Sequence, residues 1–184
     1  IYIKGNKKYR WIDGRSTREN MKKSDNSVYR DYVNSTVSIR NPLSVTLTSR
    51  QWVDGRSLDR ISLERDVTHF LNRLNYRLFR KKYSRYGKRL GVFTVIEGDK
   101  NTRLHVHLQL ECLPHLPVWF MDELIRECWG KTIFGYSPHN PRGVKVKKVD
   151  DQDGWFRYQL KDRTKGGDLP SSIDWINTTR SMSE

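Results

Sequence analysis

Leu104-His105-Val106-His107-Leu108-Gln109-Leu110-Glu111 is the stretch on which the reading of this chain turns. Apolar and polar residues alternate without a break, the period of a β-strand whose two faces meet different surroundings. Leu104, Val106, Leu108 and Leu110 fall on one face and can enter a core, while His105, His107, Gln109 and Glu111 fall on the other. Upstream, Gly91–Ile96 (GVFTVI) is rich in β-branched residues and predicts a second strand. The polar run Gly98–Arg103 predicts the turn between them. The two strands then form an antiparallel hairpin, which returns Glu97 next to His105.

Two imidazoles at i and i+2 on one strand face can both reach a single ion, and Glu97 adds a carboxylate. Two histidines and one carboxylate leave coordination positions open, as catalytic sites require and closed structural sites do not. The donor set suits Mn²⁺, Zn²⁺ or, with waters, Mg²⁺. The bland alternative is a pair of solvent-facing histidines on an edge strand; the apolar strand around them and the place of Glu97 weigh against it. His69, His115 and His139 have no comparable arrangement.

Outward from the hairpin, helices and strands interleave. Leu43–Ser49 (LSVTLTS) predicts a first strand. Ser57 and Asp59 open a long helix, with Val67, Phe70, Leu71, Leu74 and Leu78 on one stripe and Gly87 as its breaker. Pro117 starts a second helix lined by Val118, Met121, Leu124, Ile125 and Cys128, and Gly130 lies beyond its end. Val144–Val149 predicts a basic fourth strand. Asp150–Asp153 forms an acidic N-cap run before a third helix over Gly154–Arg163, and Ser172–Ile176 predicts a short final strand. The expected fold is α+β: a central four- to five-stranded antiparallel sheet flanked by helices. Residues 1–40 are polar, lack periodicity and read as an N-terminal arm; 41–184 read as the folded domain.

Lys and Arg number 35 against 21 Asp and Glu, a formal net charge of +14 that calls for a polyanionic partner. No apolar run is long enough to span a membrane, and the first 30 residues are polar, so an intracellular protein without a secretory leader is expected. A start at Ile1 suggests an excised or processed piece. Cys112 and Cys128, with no CxxC spacing, read as buried reduced thiols. Between Asn72 and Leu90 stand Arg73, Arg77, Arg80, Lys81, Lys82, Arg85, Lys88 and Arg89, with no acidic residue and with Tyr76, Phe79, Tyr83 and Tyr86 interleaved. Cations for phosphates and rings for bases make this a candidate nucleic-acid track. Arg142, Lys145, Lys147 and Lys148 make a second candidate strip.

The predicted third helix carries Tyr158 and Lys161, three apart and so neighbours, with Phe156 and Leu160 suited to its buried side. A phenol with a pKa of about 10 is a poor nucleophile. A metal that polarises a phosphate and an ammonium that stabilises the phenolate both answer that weakness.

Three elements in this order resemble the HUH endonucleases, and among them the single-tyrosine initiators of rolling-circle replication. They are Ser44-Val45-Thr46-Leu47-Thr48, then Leu104-His105-Val106-His107 with Glu97 upstream, then Tyr158-Gln159-Leu160-Lys161. The resemblance spans about residues 43–165. It implies a divalent ion, Mn²⁺ or Mg²⁺, on Glu97, His105 and His107, with Tyr158 as nucleophile and Lys161 assisting. It implies nicking and rejoining of single-stranded DNA at a replication origin, including DNA displayed in a hairpin, through a 5′-phosphotyrosine. Conjugative relaxases place the tyrosine before the His pair, whereas Tyr158 follows it here. Single-tyrosine transposases share the present order and usually carry a Gln ligand four residues after the Tyr, where this chain has Asp162. A transposase of the same superfamily and a non-catalytic nucleic-acid-binding module remain the alternatives. With 184 residues there is no room for the helicase domain of eukaryotic-virus initiators, so a host helicase and polymerase, or an excised nuclease domain, are implied.

Overall fold

A computed structural model describes residues 37, 39–98, 102–151, 154–155 and 172–179. In chain order the elements are β1 (Pro42–Thr48), β2 (Trp52–Val53), β3 (Arg56–Ser57), α1 (Arg60–Phe79), α2 (Lys81–Tyr86), β4 (Val92–Glu97), β5 (His105–Glu111), α3 (Val118–Trp129) and β6 (Val144–Lys148). Four strands make one antiparallel sheet in the order β4-β5-β1-β6, flanked by the three helices, an α+β fold as the alternation predicts. The HxH strand β5 is an interior strand, paired on both sides.

The two sheet faces are sharply different. Val92 and Ile96 of β4, Val106, Leu108 and Leu110 of β5, and Leu43, Val45 and Leu47 of β1 join Leu63, Val67, Phe70, Leu71 and Leu74 of α1 in the main core. Met121, Leu124, Ile125, Cys128 and Trp129 of α3 complete it, with Trp129 edge-on to Phe70 at 5.9 Å between centroids. On the opposite face a smaller cluster of Phe93, Val95 and Ile173 also holds Val37 and Ile39, residues that the sequence pattern assigns to the arm. That second face carries the histidines.

Local chemistry accounts for the element ends. Asp59 caps α1, its Oδ1 accepting the Ser62 N–H at 2.7 Å. Arg80 (φ 50°) interrupts the long helical pattern, so α1 stops at Phe79 and α2 restarts at Lys81. Gly87 (φ 66°) ends α2 in the left-handed conformation that favours glycine. The β2–β3 hairpin has no counterpart among the predicted strands. Its turn is Asp54-Gly55, both at positive φ (47° and 77°), the pair that suits a two-residue hairpin. Asp151 Oδ1 accepts the Gly154 N–H at 2.9 Å and Asp151 O accepts the Trp155 N–H at 3.1 Å, so the acidic run does start a helical turn. The rest of the predicted helix over Gly154–Arg163 lies outside the described residues.

Ser172–Ile176 is not a strand. Ile173 and Thr179 instead make isolated bridges to Val95 and Val92, and a turn lies between them. Thr94 accepts from Asp174 N through its carbonyl and donates its hydroxyl to Asn177 O, so β4 is matched by side-chain and turn contacts rather than by a continuous ladder. Both cysteines are free and buried, and burial pushes Cys128 up to about 11, which keeps it a thiol at neutral pH.

Asp66, a buried carboxylate on α1, accepts the backbone N–H groups of Ile133 (3.3 Å) and Phe134 (2.7 Å) and ties the segment after α3 to the core. Asp66→Ala strands two donors and should cost about 2 kcal/mol in guanidinium unfolding. The Ser62 N–H holds the Asp59 carboxyl below its ordinary value of 3.8. A depressed folded-state pKa gives stability that is full above 3.8 and is lost as pH falls through the folded value. Asp59→Ala should therefore lower the urea midpoint at pH 7, and the gap to wild type should close below pH 3.8.

Candidate metal centre

Cross-strand register assembles the site. Glu97 pairs with His105, Val95 with His107, and on the other side Thr48 pairs with His105 and Thr46 with His107. Facing residues of neighbouring strands project to the same side, so Glu97, His105, His107, Thr46 and Thr48 share one patch at the end of the sheet. Glu97 Oε2 lies 3.5 Å from His105 Nε2 and 3.6 Å from His107 Nε2. The rings meet edge-on, centroids 5.0 Å apart. Among the described residues this is the one group of three His, Cys, Asp or Glu side chains whose ligand atoms all lie within 4.8 Å of one another.

The other ring nitrogens are held from behind. The Arg103 carbonyl lies 2.9 Å from His105 Nδ1. A carbonyl can only accept, so Nδ1 carries the proton and Nε2 presents its lone pair. The Thr46 hydroxyl lies 3.2 Å from His107 Nδ1 and fills the same place for the second ring. This backing of each imidazole is the usual outer shell of a metal ligand. The separations also suit an ion: ligands about 2.1 Å from a tetrahedral centre stand about 3.4 Å apart. Donor chemistry and spacing therefore fit a divalent metal. His105 keeps 32% of its side chain exposed, against 11% for His107, so the cluster is open to solvent from the His105 side.

Two residues that the sequence pattern does not single out hold this end of the sheet. The Gln51 side chain accepts from Leu104 N (3.1 Å) and donates to Leu104 O (3.2 Å), acting as a one-residue strand partner just before His105. Gly98, at φ 108°, follows Glu97, and a Cβ there would stand 2.6 Å from Arg103 O. Only glycine lets the chain turn this tightly beside the carbonyl that orients His105. Thr46 belongs to a quoted motif, yet its contact with His107 spans 61 residues and shows only once the register is known. Glu111, on the same face as the histidines, is committed elsewhere: it accepts from Gly91 N at 2.8 Å and pairs with Arg40 at 3.0 Å.

The two basic strips occupy different places. Lys145 pairs with Thr46 and Lys147 with Ser44, so both exposed ammonium groups stand on the metal face, two strands and about 10 Å from β5. Arg73, Arg77, Arg80, Lys81, Lys82, Arg85, Lys88 and Arg89 belong to α1, α2 and the loop after them, in the layer covering the opposite face. They also sit at the other end. Gln51 O, from the residue that braces β5, accepts the Leu58 N–H just before α1. Asn75, late in α1, accepts the Leu90 N–H before β4 begins. Tyr158, Lys161 and Asp162 lie outside the described residues. No helix among the described residues is long and apolar enough to cross a membrane. Comparison of the chain with family models, curated proteins and solved structures finds no match.

Thr46→Val keeps the shape of the side chain and removes the hydroxyl behind His107. It should raise the Mn²⁺ dissociation constant by about 10-fold in calorimetric titration, while thermal unfolding without metal shifts little.

Proposed function

We propose that this chain is a metal-dependent single-stranded DNA endonuclease and strand transferase of the HUH kind, the nuclease domain of an initiator of rolling-circle replication. The observation that carries the reading is the convergence of Glu97, His105 and His107 on one point of a sheet face that also bears Lys145 and Lys147. Bound there, Mn²⁺ or Mg²⁺ would polarise the scissile phosphate and offset its charge. The Arg103 carbonyl holds His105 with its proton on Nδ1, and the Thr46 hydroxyl, against His107 Nδ1, orients the second ring so that both Nε2 atoms face the point where such an ion would bind. Lys145 and Lys147 supply cations along the same face, where flanking phosphates of a bound strand would lie.

The nucleophile in this reading is the Tyr158 phenolate, supported by its spacing to Lys161 and its place after the His pair. Its oxygen attacks phosphorus, the bond from phosphorus to the 3′-oxygen breaks, and the leaving 3′-oxygen takes a proton to become a priming hydroxyl. The Lys161 ammonium stabilises the phenolate before attack. The phosphotyrosine retains the bond energy, so the reverse transfer can rejoin ends without ATP. Origin single strands are the substrate, a host helicase and polymerase are the functional partners, and the site of action is inside the host cell.

Incubation with origin-derived single strands and Mn²⁺ should give an SDS-stable protein–DNA adduct that Tyr158→Phe abolishes. An adduct that survives the substitution would assign the nucleophile elsewhere. His107→Ala should remove cleavage by at least 100-fold while DNA affinity changes by less than threefold. Equal loss of both would turn the cluster into a binding or structural element.

A further inference from the structure

Behind the sheet, on the side away from Glu97 and the histidines, α1, α3 and the segment after α3 enclose an open cleft of about 500 Å³. That is within the range of about 300–1,000 Å³ typical of small-molecule sites. Its walls carry Arg73, Tyr76 and Arg77 from α1, Glu127 from α3, and Lys131 and His139 from the following segment. Glu127 is its one carboxylate, and it is neutralised by Arg77 at 3.1 Å. Arg73 and Lys131 are exposed and have no acidic partner among the described residues. The cleft thus presents two cations without acidic partners at its walls, a charge complementary to an anion. Tyr76 is half exposed, with the Arg80 guanidinium 5.8 Å from its ring centroid. A half-exposed aromatic ring beside these cations suits a planar base carrying a phosphate.

We propose that this cleft seats one nucleotide of a single-stranded nucleic acid, the base against Tyr76 and the adjoining phosphates on Arg73 and Lys131, as a second contact separate from the metal centre. The cationic run over α2 continues the path for the strand beyond Arg80. The two contacts lie on opposite faces of one sheet, so a strand held in the cleft is held away from the metal. The inference rests on the reading of a nucleic-acid partner and is independent of the cleavage chemistry.

The test is fluorescence anisotropy of a labelled 20-nucleotide oligothymidine with the full chain in EDTA, which removes the metal centre from the measurement. Tyr76→Ala should weaken binding at least fivefold and Tyr76→Phe should restore it. The double change Arg73→Glu, Lys131→Glu should weaken it at least 10-fold and flatten the salt slope by about 1.4, roughly 0.7 per lost phosphate contact. Arg56→Glu with Arg65→Glu, an equal charge change on exposed residues outside the cleft, should do less than half as much on a logarithmic scale. Unchanged binding in Tyr76→Ala, or equal losses from the two charge-reversed pairs, would overturn the cleft assignment while leaving the nucleic-acid reading in place. Oligoglutamate competing as well as unlabelled oligothymidine would assign the cleft to an acidic protein and overturn it. Failure of the wild-type chain to bind the oligonucleotide would overturn both.

Discussion

The pairing of β5 on both sides is the constraint on which the rest of the structure depends. An interior strand must satisfy two ladders at once, and here one of its faces is fixed by Val106, Leu108 and Leu110 in the main core. A slip of one residue would put His105 and His107 into that core and turn three large apolar side chains onto the face that now carries the histidines. The hydrophobic face therefore sets the register, and the register sets the chemistry. It brings Glu97 opposite His105 from one neighbour and Thr46 opposite His107 from the other. The donor atoms come from two strands of one hairpin, so no domain closure is needed to assemble them.

What could be read in the sequence follows from this. Alternation across residues 104–111 was sufficient to separate the histidine face from the core face, and a short polar turn was sufficient to bring back Glu97. Asp59 and Gly87 sit where their local chemistry says a helix begins and a chain turns. The less legible parts depend on distant pairing or on a single backbone angle. Thr46 touches His107 because β1 lies beside β5, and no local pattern says that it does. Lys145 and Lys147 share a face with the site because β6 lies beside β1, whereas the longer basic run, more conspicuous in the sequence, belongs to the other layer. The break at Arg80 lies within an unbroken helical pattern. The Asp54-Gly55 turn carries a readable signal, but strands of two residues are too short for alternation to show.

The sheet separates two kinds of electrostatic work. On one face, the exposed Lys145 and Lys147 stand about two strand spacings from the half-buried cluster of Glu97, His105 and His107, whose members lie close enough to interact directly. On the other side, exposed cations gather along α1 and α2 and act through solvent, so their effect is longer in range and more sensitive to salt. A chain with a net charge of +14 thus does not need to crowd its cations around one carboxylate and two imidazoles.

The same arrangement bears on how the molecule avoids sticking to itself. An open sheet has two edges, each offering unpaired backbone groups to any extended chain. At β4 the residues from Ser172 to Thr179 lie along the border and occupy it through the bridges at Val95 and Val92. At β6 Lys145, Lys147 and Lys148 stand on a strand of five residues. Like charges on that short border repel a second copy approaching it, yet would attract a phosphodiester backbone. One set of lysines thus makes the border a poor template for aggregation and a good guide for polyanions.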